Sequence, residues 1–293
     1  FRDIHPGAVM GHEFSGEIVE IGKDVTDNWK IGERVCAMPQ IGCAKCSNCR
    51  AGRPHRCDKA LNRATPGNPG AYSEFVRIGA QETFRLPDSV TFQEGALVEP
   101  LAVGLHAVKR AKITAGDNVL IVGGGPVGLS VAVWCKFFGA RHIIVSDLIA
   151  DRAEKAGDFG ATGFVDASVS NVPETYEKIV GSPPSIIFDA VGIAGSMQLS
   201  IDYSSNYGKV VVVGLCMVSD HFEPATAVVK EVEIIFCFCY EHADFQMTLE
   251  MLSQERIEVK GLVTESVGFE QFSEAFERLK QPSNQIKVML KPH

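Results

Sequence analysis

The sequence predicts an α/β protein in two parts: a doubly wound parallel sheet, preceded by a β-rich segment that carries a metal lobe. Three observations predict it. After Gly116, short apolar strands alternate with helices, the pattern of parallel βαβ units. The run Gly123-Gly124-Gly125-Pro126-Val127-Gly128 joins the first of those strands to its helix. Four cysteines, Cys43, Cys46, Cys49 and Cys57, crowd into fifteen residues of the first part.

In chain order, Glu17–Ile21 and Glu33–Ala37 read as short strands separated by the turn-prone 22–28. The cysteine lobe spans 40–60, and 61–70 is a loop by composition. Ala71–Ile78 reads as a further strand. Thr91 caps an apolar helix that contains Ala96–Val98 and Leu101–Val108, and Pro100 is expected to end or kink it. The second part then reads Asn118–Val122 strand, Leu129–Phe138 helix, His142–Ser146 strand, Asp151–Phe159 helix and Gly163–Asp166 strand. Glu174–Val180 (helix), Ser185–Asp189 (strand), Ser196–Tyr203 (helix), Lys209–Val213 (strand) and Glu233–Phe238 (strand) complete it. Phe245–Ser253 is a helix, followed by a strand near Leu262, the helix Phe269–Lys280 and the strand Ile286–Leu290. These elements divide the chain into 1–115, 116–250 and 251–293, with the last stretch returning to the first domain.

Composition bounds the function. The net charge of −8 argues against general binding to nucleic acid or an anionic membrane. No apolar run approaches the ~20 residues of a membrane span, and no signal peptide is visible. A cytoplasmic protein is expected. The chain begins with Phe1, and its first motif starts at Gly11. That proximity suggests that N-terminal residues precede the given sequence.

The cysteine spacing, with two gaps of two residues and one of seven, lets four thiolates converge on one tetrahedral ion. Structural zinc is the reading, because four sulfur ligands leave no open position. Disulfides are disfavoured, since bridges between cysteines so close in sequence are strained and the chain has little need of them. An iron–sulfur cluster uses the same ligand type. Lys45, Arg50, Arg53, Arg56 and Lys59 could suggest a nucleic-acid module, but they also offset the charge of about −2 on a four-thiolate zinc. Cys36, Cys135, Cys216, Cys237 and Cys239 read as small packed thiols.

The glycine run is the dinucleotide fingerprint of a Rossmann sheet, and its strand–loop–helix context is the expected one. Gly123, Gly125, Pro126, Val127 and Gly128 would let backbone N–H groups meet a pyrophosphate at a helix N-terminus. Asp147 ends the next strand, nineteen residues past Gly128, where a carboxylate accepts from the ribose 2′-hydroxyl. A 2′-phosphate there meets like charge, so NAD is favoured over NADP. Arg152 has three open readings: a phosphate partner, packing against adenine, or a surface ion pair. Val191-Gly192 and Gly214-Leu215 end successive strands, either as cofactor contacts or as ordinary turns.

Gly11-His12-Glu13, with Gly16 and Gly22, joins the cysteine lobe, Glu99-Pro100, the glycine loop and Asp147 in one set. Together they resemble the zinc-dependent medium-chain dehydrogenase/reductase family, over essentially the entire chain. Ala96 to His106 resembles its polyol branch, which includes sorbitol, butanediol and threonine 3-dehydrogenases.

The resemblance implies a GroES-like fold for the β-rich domain, one structural and one catalytic zinc, NAD, and a homodimer or homotetramer. It implies that His12 ligates the catalytic zinc, with Glu13 beside it as alternate or water-linked ligand. Glu99 takes the place that a cysteine holds in the alcohol dehydrogenase branch. The family's first ligand, a cysteine upstream of Gly-His-Glu, and the hydroxyl residue that follows it have no counterpart in this sequence. The implied activity is oxidation of a secondary alcohol or polyol by hydride transfer. An amino-alcohol (threonine-type) dehydrogenase and a lapsed NAD(H)-binding homologue with a regulatory role are the alternatives. His106 reads as a packing histidine.

Overall fold

The computed structural model describes residues 6–65, 67–281 and 283–292. Strands β1 (Ser15–Glu17) and β2 (Arg34–Ala37) precede a short helix α1 (Ser47–Arg50) inside the cysteine lobe, and β3 (Thr83–Arg85) follows it. The three strands form an antiparallel sheet in the order β1-β2-β3. The first expected strand is shorter and earlier than Glu17–Ile21, and β3 was not expected.

Ala71–Ile78 is not a strand. The backbone of Gly70, Ala71 and Tyr72 donates to Val9, Gly11 and Met10 at 2.7, 2.9 and 2.8 Å. The Ser73 hydroxyl then folds the chain onto the Gly70 and Phe75 carbonyls. Those bonds tie the segment to 9–11 instead of to a ladder.

Helix α2 (Phe92–Ala111) starts in a capping box between Thr91 and Glu94 and runs on as one element through Pro100. Proline removes its own N–H from the helix ladder and its ring crowds the carbonyl four residues back, and here packing outweighs that cost. Thirteen of its residues, including Leu97, Val98, Leu101 and Leu105, are buried.

The second part opens with β4 (Asn118–Val122), α3 (Pro126–Phe137), β5 (His142–Asp147), α4 (Ala150–Lys155) and β6 (Gly163–Asp166). It continues with α5 (Val172–Val180), β7 (Ile186–Asp189), α6 (Ser196–Tyr203), β8 (Lys209–Val212), α7 (Pro224–Lys230) and β9 (Glu233–Phe236). Helix α7 was not expected. All pairs in the six-stranded sheet are parallel, in the order β6-β5-β4-β7-β8-β9. Chain direction across the sheet therefore reverses between β4 and β7, the switch point where doubly wound sheets bind ligands.

Period-two alternation sorts the side chains of β4. Val119 and Ile121 join the core under α2 and α3, while Leu120 and Val122 join a smaller one with Val172 and Tyr176 of α5. Both faces are covered, so the strand reads as a continuous apolar run.

The tail comprises α8 (His242–Ser253), β10 (Val263–Val267), α9 (Phe272–Arg278) and β11 (Lys287–Leu290). β10 and β11 pair in parallel as a separate two-stranded sheet. The tail touches the start of the chain: Lys287 contacts the Glu13 carboxylate, and the Phe272 ring lies 5.1 Å from that of Tyr72.

Helices α2 and α3 meet closely. The Ser130 hydroxyl donates to the Pro100 carbonyl at 2.9 Å, and the Trp134 indole donates to the Leu101 carbonyl at 2.8 Å. A methyl on Gly104 would lie 2.1 Å from Ser130 Oγ and 2.7 Å from its carbonyl carbon. Gly104→Ala is therefore expected to lower stability by about 1–3 kcal/mol through overpacking. Denaturant unfolding checks it, and an unchanged midpoint would show that the two helices separate without cost.

Candidate functional site

His12 sits on a loop whose path depends on Gly11. That glycine has φ +94°, and a Cβ there would meet the Tyr72 ring at 2.6 Å and its nitrogen at 2.7 Å. Helix α2 brings Glu99 to the same place, with its Oε1 4.0 Å from His12 Nε2. One ligand atom from each of His12, Glu13 and Glu99 lies within 4.8 Å of the others. Two residues far away in sequence complete the cluster. Lys287 on β11 pairs with Glu13, and the Tyr240 hydroxyl is 3.1 Å from Glu99 Oε1.

Electrostatics in this cluster follow burial. Glu99 is buried, which pushes its carboxyl up to about 8; the Glu13 charge adds to this, while Lys287 and the Tyr240 hydroxyl oppose it. Partial loss of solvent draws the His12 pKa down, Glu13 raises it, and Lys287 lowers it. Its imidazole thus favours the neutral form, which has a nitrogen lone pair to offer. A histidine nitrogen and two carboxylates, one of them desolvated, form a donor set that fits zinc.

The second metal-type cluster is sulfur only. Sγ atoms of Cys43, Cys46, Cys49 and Cys57 all lie within 4.8 Å of one another, and those of Cys46 and Cys49 are 3.5 Å apart. Tetrahedral zinc with bonds of ~2.3 Å sets its sulfurs about 3.8 Å apart, so the cluster fits. Backbone N–H groups of Lys45 and Cys46 draw the Cys43 thiol down to about 6, already favouring the thiolate. Cys46 Sγ also accepts from the Cys49 backbone N–H at 3.4 Å and caps α1. The lobe is pinned to α8 by Arg53 Nε on Glu241 Oε1 at 2.7 Å and by the His242 N–H on the Gly52 carbonyl at 2.8 Å.

The glycine loop lies between β4 and α3, and Pro126 is the first residue of the helix. A Cβ on Gly128 would strike the Gly123 carbonyl at 1.8 Å, while one on Gly125 would meet nothing within 4 Å. Gly128 is thus required by the fold, and the side of Gly125 is open space at a helix N-terminus. Val127 follows on the first turn. Asp147 accepts from the Gly124 N–H on one oxygen and from the Ile149 N–H on the other, both at 2.8 Å. Arg152 lies on α4, and its buried Nε has no partner among the described residues.

The turns after β7 and β8 pack on each other. A Cβ on Gly192 would lie 2.6 Å from the Leu215 nitrogen, and one on Gly214 would lie 2.3 Å from the Gly192 nitrogen. Both glycines are therefore explained by backbone approach. Val191 and Leu215 remain exposed apolar groups beside them. Buried Asp189 fixes the first turn, accepting from the Val191 N–H at 3.1 Å and the Ser196 hydroxyl at 2.7 Å.

His106 contacts Asp244 Oδ2 through Nδ1 at 2.9 Å and lies in neither metal cluster. The sequence reading missed Tyr240 and Lys287. Tyr240 carries no local signal. For Lys287 the only hint is a charged residue inside the apolar strand Ile286–Leu290.

Cys46→Ser is expected to lose one tightly bound zinc and to lower the melting temperature, with activity falling only as a consequence. Metal analysis beside thermal melting and turnover checks this. Lost turnover with unchanged melting would refute the division of labour between the two clusters.

Comparison with known proteins matches two family models: an alcohol dehydrogenase GroES-like domain over residues 2–88 and a zinc-binding dehydrogenase over residues 126–254. Sorbitol dehydrogenase of Gallus gallus is 35% identical over 288 residues, covering 97% of this chain and 80% of that protein. A probable D-xylulose reductase A of Aspergillus terreus is 32% identical, covering 93% of this chain and 78% of its own. The crystal structure of 2R,3R-butanediol dehydrogenase from Bacillus subtilis superposes with a TM-score of 0.86 at 30% identity, covering 99% of this chain and 82% of that one. The fold is thus a GroES-like domain joined to a Rossmann-type sheet, and the chain belongs to the zinc-binding medium-chain dehydrogenases, in their polyol-dehydrogenase branch.

Proposed function

We propose that the protein oxidises a secondary alcohol or polyol to the ketone, reversibly, passing hydride to NAD. The observation that carries this reading is the meeting of His12, Glu13 and Glu99 in one donor set, in a chain whose glycine loop lies at the switch point of a parallel sheet. Relatives named for sorbitol, xylulose and butanediol support the substrate class.

His12, Glu13 and Glu99 would hold a zinc ion, which would supply Lewis acidity that eases loss of the hydroxyl proton. The chain's own residues do the rest. Neutral His12 offers its nitrogen. Lys287 holds the Glu13 carboxylate, and Tyr240 holds that of Glu99. The open side of Gly125 leaves room for a pyrophosphate against the first turn of α3. Asp147 presents two oxygens already aimed by backbone N–H groups, ready to accept from ribose hydroxyls and repelling a 2′-phosphate. With NAD bound, the carbinol carbon would give up two electrons as hydride to the nicotinamide, and its hydroxyl would give up a proton to solvent.

The domain division at 115/116 and 250/251 belongs to the same proposal, supported by the contacts of Lys287 and Phe272 with residues 13 and 72. So does a reducing, cytoplasmic setting, supported by nine unbridged cysteines. No helix among the described residues is long and apolar enough to cross a membrane.

Assembly as a homodimer or homotetramer is proposed from the sheet edge. β9 is an outer strand, Phe236 on it is 65% exposed, and neighbouring α7 exposes Val228 and Val229 at 72% and 83%. An apolar unpaired edge invites a second copy by strand pairing.

Three measurements test these readings: turnover, metal content and sedimentation. A polyol panel followed by NADH absorbance should show turnover with NAD. Activity confined to NADP would overturn the role of Asp147, and a single zinc without turnover would favour a lapsed homologue. Sedimentation should show an oligomer that Phe236→Glu shifts toward monomer; a monomeric wild type would remove the edge-pairing proposal.

A further inference from the structure

We propose that Tyr240 is the positioning residue for Glu99: its hydroxyl fixes which carboxylate oxygen faces His12. The inference rests on the reading of Glu99 as a metal or metal-water ligand. Tyr240 is only 2% exposed, and its hydroxyl lies 3.1 Å from Glu99 Oε1. That oxygen is also the one 4.0 Å from His12 Nε2. Among the described residues, no other hydrogen bond reaches the Glu99 carboxylate. A carboxylate on a rotatable side chain has two equivalent oxygens, and a single fixed donor is enough to distinguish them. With Oε1 engaged by the phenol, Oε2 has no protein donor.

The position of the phenol is itself overdetermined. Cys239 turns the chain with φ +56°, directing it from β9 into residue 240. The Tyr240 ring lies 5.7 Å from Phe245, which stacks on Phe84 of β3 at 4.8 Å. The next residue, Glu241, pairs with Arg53 of the cysteine lobe. Asp244, also buried, holds His106 at 2.9 Å and Lys109 at 2.5 Å. Both of those lie on α2, about two and three helical turns beyond Glu99. The segment 240–244 is thus fastened to the helix that carries Glu99, to the antiparallel sheet and to the lobe. A donor held this firmly transmits its own placement to the group that it bonds. Outer-shell partners of metal ligands act in this way, and losing one typically costs 10- to 100-fold in metal affinity or activity.

The test uses the full zinc-loaded chain and Tyr240→Phe, which removes the hydroxyl and keeps the ring. Zinc affinity of the site outside the cysteine lobe, measured by chelator competition, should weaken by about 10- to 100-fold. On the polyol-oxidation reading, kcat should fall within the same range while KM for NAD holds. Lobe zinc should not change, and any fall in melting temperature should be small. In a Glu99→Gln background the same substitution should add nothing. Unchanged zinc affinity in Tyr240→Phe overturns the proposal, as do losses that multiply in the double variant, or a loss of lobe zinc and melting in parallel. Should Tyr240→Phe not fold, Phe245→Leu loosens the ring and keeps the hydroxyl; the second zinc must then weaken while lobe zinc stays, and retained affinity overturns the proposal. A wild type that binds a single zinc defeats the reading of Glu99 itself, and this is scored on the wild type before any variant is made.

Discussion

A carboxylate in the middle of a buried helix is the constraint around which this molecule is arranged. Glu99 lies on a buried stretch of α2, beside Pro100, where little water and no helix end can solvate it. Such a group is tolerated only with partners. The fold supplies a phenol from the end of the parallel sheet, an imidazole from the first loop, and a second carboxylate whose own charge is balanced from β11. Two acids so close, one of them desolvated, make a poor resting place for protons alone and a good one for a divalent cation. The same burial that raises the Glu99 pKa therefore argues for the site's chemistry.

Support for that helix comes from both sides. Ser130 and Trp134 of α3 donate to the carbonyls of Pro100 and Leu101, so the proline interrupts the helix ladder without interrupting the packing. On the other flank, Asp244 anchors α8 to His106 and Lys109. Burial alone would raise the Asp244 carboxyl, but bonds from His106, Lys109 and the Glu241 N–H win and hold it below the ordinary value. The cysteine lobe gains its importance here. Four thiolates would leave a bound zinc no open position for chemistry, but through Arg53 and Gly52 the lobe grips the first turn of α8, one residue from the phenol that meets Glu99.

Local pattern explains what could be read from the sequence alone. The parallel sheet was legible almost to the residue, because β4, β5, β6 and β7 are apolar runs bounded by turns, and the helices after β4, β6 and β7 start at Gly125, a capping Asn171 and Gly195. The β-rich segment was less legible. There, 70–72 bonds to 9–11 through irregular pairs, and a β-prone run does not become a strand without a ladder partner. Pro100 does not end the helix for a related reason: helix propensity is a weak prior against the burial of a whole helix. For the site, the cysteine spacing spoke for itself. His12 and Glu99 were legible only through the family resemblance, since neither has a local pattern that separates a ligand from an ordinary polar residue. Tyr240 and Lys287 were beyond reach, because only the tertiary fold brings residues 141 and 274 positions apart together.

Those separations say something about how the site holds together. Its members come from the first loop, the middle of α2, the exit of the last parallel strand and the final strand of the chain. Closing loops of such length is entropically costly, although the cost grows only slowly with length. The groups being joined are also charged or polar, so they add little net stability of their own. Apolar contacts must therefore secure each approach: Phe272 on Tyr72 where the tail returns, and Phe245 on Phe84 beneath Tyr240. The Lys287–Glu13 pair is then a consequence of docking and not its cause. Loosening the tail would release Glu13 before it disturbed Glu99, which α2 carries and Tyr240 holds. The two carboxylates thus differ in their support: one is held from within the core, and the other by the final strand of the chain.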